Sequence, residues 1–210
     1  SAQTWQAIDE KISLNPILQS FQETVNRYQI DHALIRQFMH SMEMDLQQLA
    51  YDSDLYKEYI LGSAEVVGLM CLQIFVNGDK EQYEHLKPYA MKLGSAFQKV
   101  NFLRDLKDDY HVLGRTYFPD INMNVFDDNV KQKIENEIAL EFKSALAGIR
   151  QLPPSSRFGV YLAYRYYLSL LNKIKKTPAK KIINSRIRIP NGQKLSLAFG
   201  SYVQYKMALL

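Results

Sequence analysis

Within GSAFQKVNFLRDLKDDYHVLGRTYFP (residues 94–119), Gly94, Gln98, Asn101, Asp105 and Asp109 are spaced four, three, four and four residues apart, the spacing of neighbours on one side of a helix. At about 100° per residue they share an arc of roughly 80°, while Leu93, Phe97, Val100 and Leu103 are placed to enter a core. Asp105 and Asp109 form a carboxylate pair one turn apart, with Asp108 on nearly the same face. Like charges at that spacing cost a few tenths of a kcal/mol unless a cation lies between them. Oxygen-only ligands one turn apart suit Mg2+, which keeps waters and bridges to substrate phosphates. An acidic pair on a solvated face is the plainer alternative. The polar line running upward through Asn101 and Gln98 argues for a site, as do Arg104 and Arg115, which bracket it. Zinc or a di-iron pair fits less well, because Asp108-x-x-His111 is the only acid-x-x-His motif beside the cluster and a di-iron bundle needs two. His32, His40, His85 and His111 therefore read as surface or core side chains.

Two earlier helical stretches must face this one. In YKEYILGSAEVVGLMCLQIF, Tyr59, Ser63, Val66, Met70 and Ile74 form one stripe, and Gly62, Ala64 and Gly68 permit close packing or leave room for a ligand tail. In FMHSMEMDLQQLAY, Asp45 falls on the side of Phe38 and Leu49, so it is expected to be partly buried and to need a donor, first of all as a structural hydrogen bond.

Nearly every other segment carries helical periodicity, and strand alternation is hard to find. A helix is expected over residues 3–12, the next from Asn15-Pro16, one capped by Asp31, and a long one from Asp52-Ser53-Asp54 to Val76. Asn77-Gly78-Asp79 marks a turn, and Pro88 predicts a kink or break near Lys87. Residues 113–128 read as an irregular loop, followed by helices over 127–151, 156–176 and 193–209. The expectation is an all-α chain, one domain over residues 1–210.

Composition agrees with a globular chain: 47% hydrophobic and 12% aromatic residues, including 14 tyrosines. A net charge of +4, with no block of like charges forming a basic tail, argues against nucleic acid as a partner. The lone Cys71 lies in an apolar run, which excludes a disulfide framework, favours a reducing, cytoplasmic setting and reads as a core thiol. No apolar run of about 18 residues suggests a membrane span.

The motifs together resemble the squalene/phytoene synthase family of head-to-head prenyl synthases, from about residue 30 to 190. FMHSMEMDLQQLAYDSDLYKEYILGSAEVVGLM is similar to that family's Met-x-x-Asp-Leu segment and its Tyr-x-x-x-x-Ala-x-x-Val-Gly helix. LGSAFQKVNFLRDLKDDYHVLGRTYFP is similar to its Leu-Gly-x-Ala-x-Gln-x-x-Asn-x-x-Arg-Asp-x-x-x-Asp signature, closed by Gly-Arg-x-Tyr-x-Pro. The resemblance implies an isoprenoid-synthase helical bundle around a central apolar cavity, joining two allylic prenyl diphosphates. It implies Mg2+ on Asp105 and Asp109, diphosphate neutralisation by Arg104 and Arg115, and Tyr59 and Tyr117 at the reacting end. Ala64, Val67, Gly68, Gly94, Gln98 and Asn101 would line the substrate site.

The family's first aspartate-rich motif is absent from residues 1–210 and is expected upstream, which would leave this chain inactive by itself. Glu65 stands where the family often has Gly, and KKTPAKKIINSRIRIP keeps Arg186 and Arg188 without the family's tyrosine. Two rivals are a non-catalytic scaffold relative and a helical lipid-binding module, the latter independent of metal. NADPH has no local signature. Because the implied product is water-insoluble, peripheral contact with the inner membrane is compatible with a cytoplasmic protein. The apolar tail LSLAFGSYVQYKMALL is expected to pack on the bundle rather than dock on a surface. Substrate length and oligomeric state have no signature.

Overall fold

The computed structural model describes residues 2–46, 51–119 and 126–207. Helices account for every regular element among them: α1 (Ala2–Glu10), α2 (Pro16–Tyr28), α3 (His32–Met44), α4 (Ser53–Ile60), α5 (Val66–Phe75), α6 (Lys80–His111), α7 (Asp128–Ile149), α8 (Pro154–Lys175), α9 (Ala179–Asn184) and α10 (Asn191–Lys206). The caps follow from local chemistry. Asn15, Asp31, Asp52, Asp79 and Asp127 each accept from backbone N–H groups of the first turn, satisfying donors that have no partner inside the helix. At the α5–α6 turn, Asn77 and Gly78 both adopt left-handed backbone, with φ of 52° and 79°, as Asn-Gly permits.

Helix α6 runs unbroken through Pro88, so the expected break is absent. Pro88 and Glu84, whose carbonyl the proline ring cannot serve, are both exposed, and solvent can meet that carbonyl. Between α4 and α5 lies a π-helical turn, Leu61–Glu65. Its wider winding rotates everything downstream, and this splits the stripe expected from Tyr59 to Ile74. Met70 and Ile74 turn toward Ile8, Val25, Ile30 and Ile35, the small core under α1–α3. Ser63 turns the other way, toward a cavity.

The rod formed by α4, the π turn and α5 is long and apolar enough to cross a membrane by length and composition, contrary to the sequence expectation. Its apolar residues are shared between α3 on one side and α6 on the other, the placement of a central helix in a bundle. Helix α6 packs along α7 and reaches α8 and α9. The main core gathers Tyr59, Phe102, Leu103, Tyr117, Ile138, Phe142, Leu170 and Ile174. Two glycines set the approach of α6 to the rod. A Cβ on Gly94 would stand 2.5 Å from the carbonyl oxygen of Ala64, and one on Gly68 2.8 Å from that of Ala90. Close packing is thus the reason for both residues, and the cavity opens beside these contacts. The short α9 is missing from the sequence expectation, because one and a half turns between prolines and lysines carry too little periodicity to register.

Candidate functional site

A cavity of about 600 Å³ lies between α5, α6, α7 and α8. Ala64, Val67, Gly68, Gly94 and Gln98 line it, together with Phe97 and small residues of α7 and α8 such as Gly148, Gly159 and Ala163. Small side chains on four helices leave the space, and the remaining wall is largely apolar. Cys71 also lines it, so it is a half-buried wall residue rather than a fully enclosed core thiol, and burial pushes its thiol up. Ser63 faces the same space with a buried hydroxyl that has no protein partner among the described residues.

Beyond Gln98 the same face of α6 becomes polar. Asn101 does not line the cavity. Its side-chain oxygen is buried and lacks a protein partner among the described residues, an expensive state for an amide unless a ligand or ion meets it. One turn further, Asp105 is held by Arg104, whose Nε lies 3.0 Å from both carboxylate oxygens and whose Nη2 is closer still. Arg186, from the segment between α9 and α10, brings Nε to 2.7 Å from Asp105 Oδ1. Asp109 has no ion pair among the described residues. Burial first and then the charge of Asp105 push its carboxyl up to about 6, against the opposing pull of Arg115.

Arg115, Tyr117 and Tyr59 form a separate group around Asp45. Tyr59 donates its hydroxyl to Asp45 Oδ2 at 2.9 Å, and the Tyr117 hydroxyl lies 3.4 Å from Oδ1. Arg115 stands 3.5 Å from Oδ1 and also donates to the Asp45 carbonyl. The Arg115 backbone N–H bonds the carbonyl of Asp109 at 2.8 Å, fastening the loop to the end of α6. Around this carboxylate, Phe102 stacks on Tyr117 at 4.2 Å, and Tyr59 and Tyr51 lie within 5.3 Å of the Tyr117 ring. Burial, then the neighbouring Tyr117 and Asp45, push the Tyr59 phenol up. The expected donor to Asp45 is thus Tyr59 itself. Tyr59 and Tyr117 are not among the residues lining the cavity; their hydroxyls point to Asp45.

The residues fit a magnesium–diphosphate unit by their donor chemistry. Two carboxylates one turn apart, an orphaned amide oxygen beside them and three nearby arginines match a cation that uses few protein ligands and completes its shell with phosphate and water. No group of three His, Cys, Asp or Glu gathers among the described residues, so a metal held by protein ligands alone is not what this arrangement offers. Glu65 faces Lys92, Glu141 and Lys99 rather than the cavity, and burial pushes its carboxyl up. Arg186 is the site residue that spacing could not reveal, since it meets Asp105 from the far end of the chain. Its only sequence signal was the RIRIP segment.

An all-α bundle with an apolar cavity and, further along the same helix face, a pair of aspartates is the arrangement of an isoprenoid-synthase-type protein. The squalene/phytoene synthase family profile matches residues 2–139, and the chain belongs to that family. The match takes in α1 and α2, earlier than the motifs suggested, and stops within α7. Phytoene synthase 1 of Arabidopsis thaliana is 29% identical over 174 residues, covering 73% of this chain and 40% of the relative. The 4,4'-diapophytoene synthase of Staphylococcus haemolyticus is 26% identical over 178 residues, covering 76% and 61%. The chain therefore spans about two-fifths to three-fifths of these relatives. Among solved structures, a dehydrosqualene synthase in complex with ligand superposes with a TM-score of 0.81 at 18% identity, over 98% of this chain and 76% of the other. Squalene synthase HpnC from Alicyclobacillus acidocaldarius gives 0.71 at 18%, over 83% and 70%. These two likenesses establish the shared fold.

Proposed function

We propose that the chain carries the cavity and the second aspartate motif of an enzyme that condenses two allylic prenyl diphosphates head to head. One observation carries the reading: a single face of α6 passes from an apolar cavity at Gly94 and Gln98 to the carboxylates of Asp105 and Asp109, as an amphiphile with an apolar tail and an anionic head requires.

In that reaction the C–O bond of one substrate breaks and pyrophosphate leaves. The double bond of the second substrate attacks the resulting cation, a proton is lost and a cyclopropyl ring closes. The second pyrophosphate then departs as the ring rearranges. Mg2+ held by Asp105 and Asp109 would neutralise the leaving diphosphate. Arg104 and Arg186 would exchange Asp105 for phosphate oxygens, and the Asn101 amide oxygen would be available to the hydrated ion. Tyr59, Tyr117 and Phe102 would form an aromatic boundary at the Asp45 end of the site, a surface suited to a developing cation. The apolar wall from Ala64 to Ala163 keeps water from quenching it. Tyr59 stays a neutral phenol because burial, and then Tyr117 and Asp45 beside it, push its hydroxyl up, so it offers a π face and no nucleophilic phenolate.

Calorimetry with a non-hydrolysable farnesyl diphosphate analogue tests the reading. Binding that requires Mg2+ and disappears in Asp105→Asn, with helix content unchanged, is the expected result. Equal binding with and without Mg2+ would instead favour a lipid-binding module. No binding in either condition would favour a non-catalytic relative. The cytoplasmic setting, with peripheral contact at a membrane, belongs to the same proposal, since the product would be insoluble in water.

A further inference from the structure

Four glycines line the cavity, and contacts account for three of them. A Cβ on Gly68 or Gly94 would strike the carbonyl of Ala90 or Ala64, and one on Gly148 would stand 2.3 Å from the Cβ of Tyr89. Gly159 differs, because a Cβ there would meet nothing within 4 Å. It sits inside α8 and is exposed. A glycine within a helix costs stability relative to alanine, and at this position no close approach offsets the cost. What the bare backbone leaves is open space in the cavity wall.

That space is at the end of the cavity away from the aspartates. Val160, next to Gly159, packs on Leu72, Leu86 and Leu152 beside Phe75. Further along α8, Tyr167 stacks on Phe97 at 4.0 Å, next to Gln98. Helix α8 therefore runs from the apolar end of the cavity toward its polar end. Two other helices measure the length. On the rod the cavity extends from Ser63 to Phe75, and on α6 from Gln98 to Leu86. Each pair is twelve residues apart, or about 18 Å of helix. Ser155 and Gly159 line the far end and are exposed, so that end is open on the α8 side.

We propose that Gly159 sets the length of tail this cavity accepts, and that the length is four isoprene units rather than three. The prenyl identity of the tail rests on the reaction proposed above; the length comes from the cavity. An extended carbon chain advances about 1.25 Å per bond, so three isoprene units span about 14 Å and four about 19 Å. A tail of three units that begins beside Gln98 stops about one helical turn short of Leu86 and Phe75. A fourth unit fills that turn, between Leu86, Leu152 and the α8 rim, and removes its apolar surface from water. A bulky side chain at position 159 would occupy the same place.

Equilibrium binding of radiolabelled farnesol and geranylgeraniol reads tail length without the diphosphate end. Geranylgeraniol is expected to bind about tenfold or more tighter than farnesol. In Gly159→Phe that advantage should fall to about twofold or less while farnesol keeps its parent affinity. Ser155→Phe, at the same rim, should act in the same direction. Gly159→Ala adds a methyl that meets nothing, so it should keep the parent ranking and melt no lower than the parent. Both positions are exposed, and circular dichroism should hold in every variant. Equal binding of the two alcohols by the parent chain overturns the proposal, as does binding of neither, or a ranking that survives both phenylalanine variants. Titration with the matching non-hydrolysable diphosphates and Mg2+ separates this result from the reaction. Absence of Mg2+-dependent binding there, with the alcohols still ranked through residue 159, sinks the head-to-head reading and leaves the length limit standing. Mg2+-dependent binding that ignores tail length does the reverse.

Discussion

Arg186 Nε lies 2.7 Å from Asp105 Oδ1, tying the segment before α10 to the acidic end of α6. Arg104 grips the same carboxylate, so Asp105 can offer both oxygens to a cation only after an arginine lets go. Arg186→Ala should therefore tighten Mg2+ binding measured without diphosphate by about twofold to fivefold, the scale of a partly exposed ion pair. The same variant should weaken pyrophosphate binding in the presence of Mg2+. Isothermal titration of each ligand checks both signs; weaker binding of both would mean that Arg186 does not compete with the metal.

Asp109 makes stability depend on pH in an unusual direction. Its carboxyl is pushed up to about 6 by burial and by Asp105, above the ordinary carboxylate value of about 4. The folded state thus binds the proton more tightly than the unfolded chain does. The stabilisation is fully present below about pH 4 and is lost as pH rises through about 6. Asp109→Asn should remove this loss and raise stability at pH 7 by an amount on the order of 1 kcal/mol, after allowance for partial exposure. Urea unfolding of both proteins at pH 5 and pH 7 provides the comparison, with the gap between them expected to be wider at pH 7.

Gly94 is packed against backbone. A Cβ there would meet the Ala64 carbonyl oxygen at 2.5 Å and its carbon at 2.9 Å, and backbone cannot move aside as a side-chain tip would. Gly94→Ala should cost about 1–3 kcal/mol through overpacking, despite alanine's better helix propensity. Its Tm should fall accordingly in a thermal melt. A rise in Tm would show that α6 shifts freely along the rod.

Lys99 and Glu141 form a buried pair across α6 and α7, 2.8 Å apart with side chains each 7% exposed. Ser95 donates to the same carboxylate at 3.0 Å. Burial pushes the Lys99 amine down, but its bonds to Glu137 and Glu141 outweigh this and leave it raised. Lys99→Met should destabilise by about 3–5 kcal/mol by stranding a buried carboxylate, whereas Lys99→Met with Glu141→Met should recover much of that loss. A double-mutant cycle by denaturant unfolding measures the coupling; additive losses would mean the pair does not act as a unit.

Local chemistry made much of the fold legible in advance. Asn15, Asp31 and Asp52 start their helices where the sequence places them, because a cap depends on residues within one turn. Gly94, Gln98, Asp105 and Asp109 share a face because helical periodicity is local geometry, and α6 keeps that periodicity through Pro88. Tyr59 was harder to place, since the π turn after it shifts the register of α5 and no residue in Leu61–Glu65 announces such a turn.

What the sequence determined by itself is therefore what one helix can specify: the caps, the all-α class, the polar face of α6 and the motifs that mark the family. Tertiary structure decided which of those residues meet. It set Arg186 on Asp105, brought the Tyr59 and Tyr117 hydroxyls to Asp45, and left the apolar side of α10 in solvent. The physical reason is that spacing fixes neighbours along a helix, whereas partners between helices depend on packing, and packing answers to the burial of the whole chain.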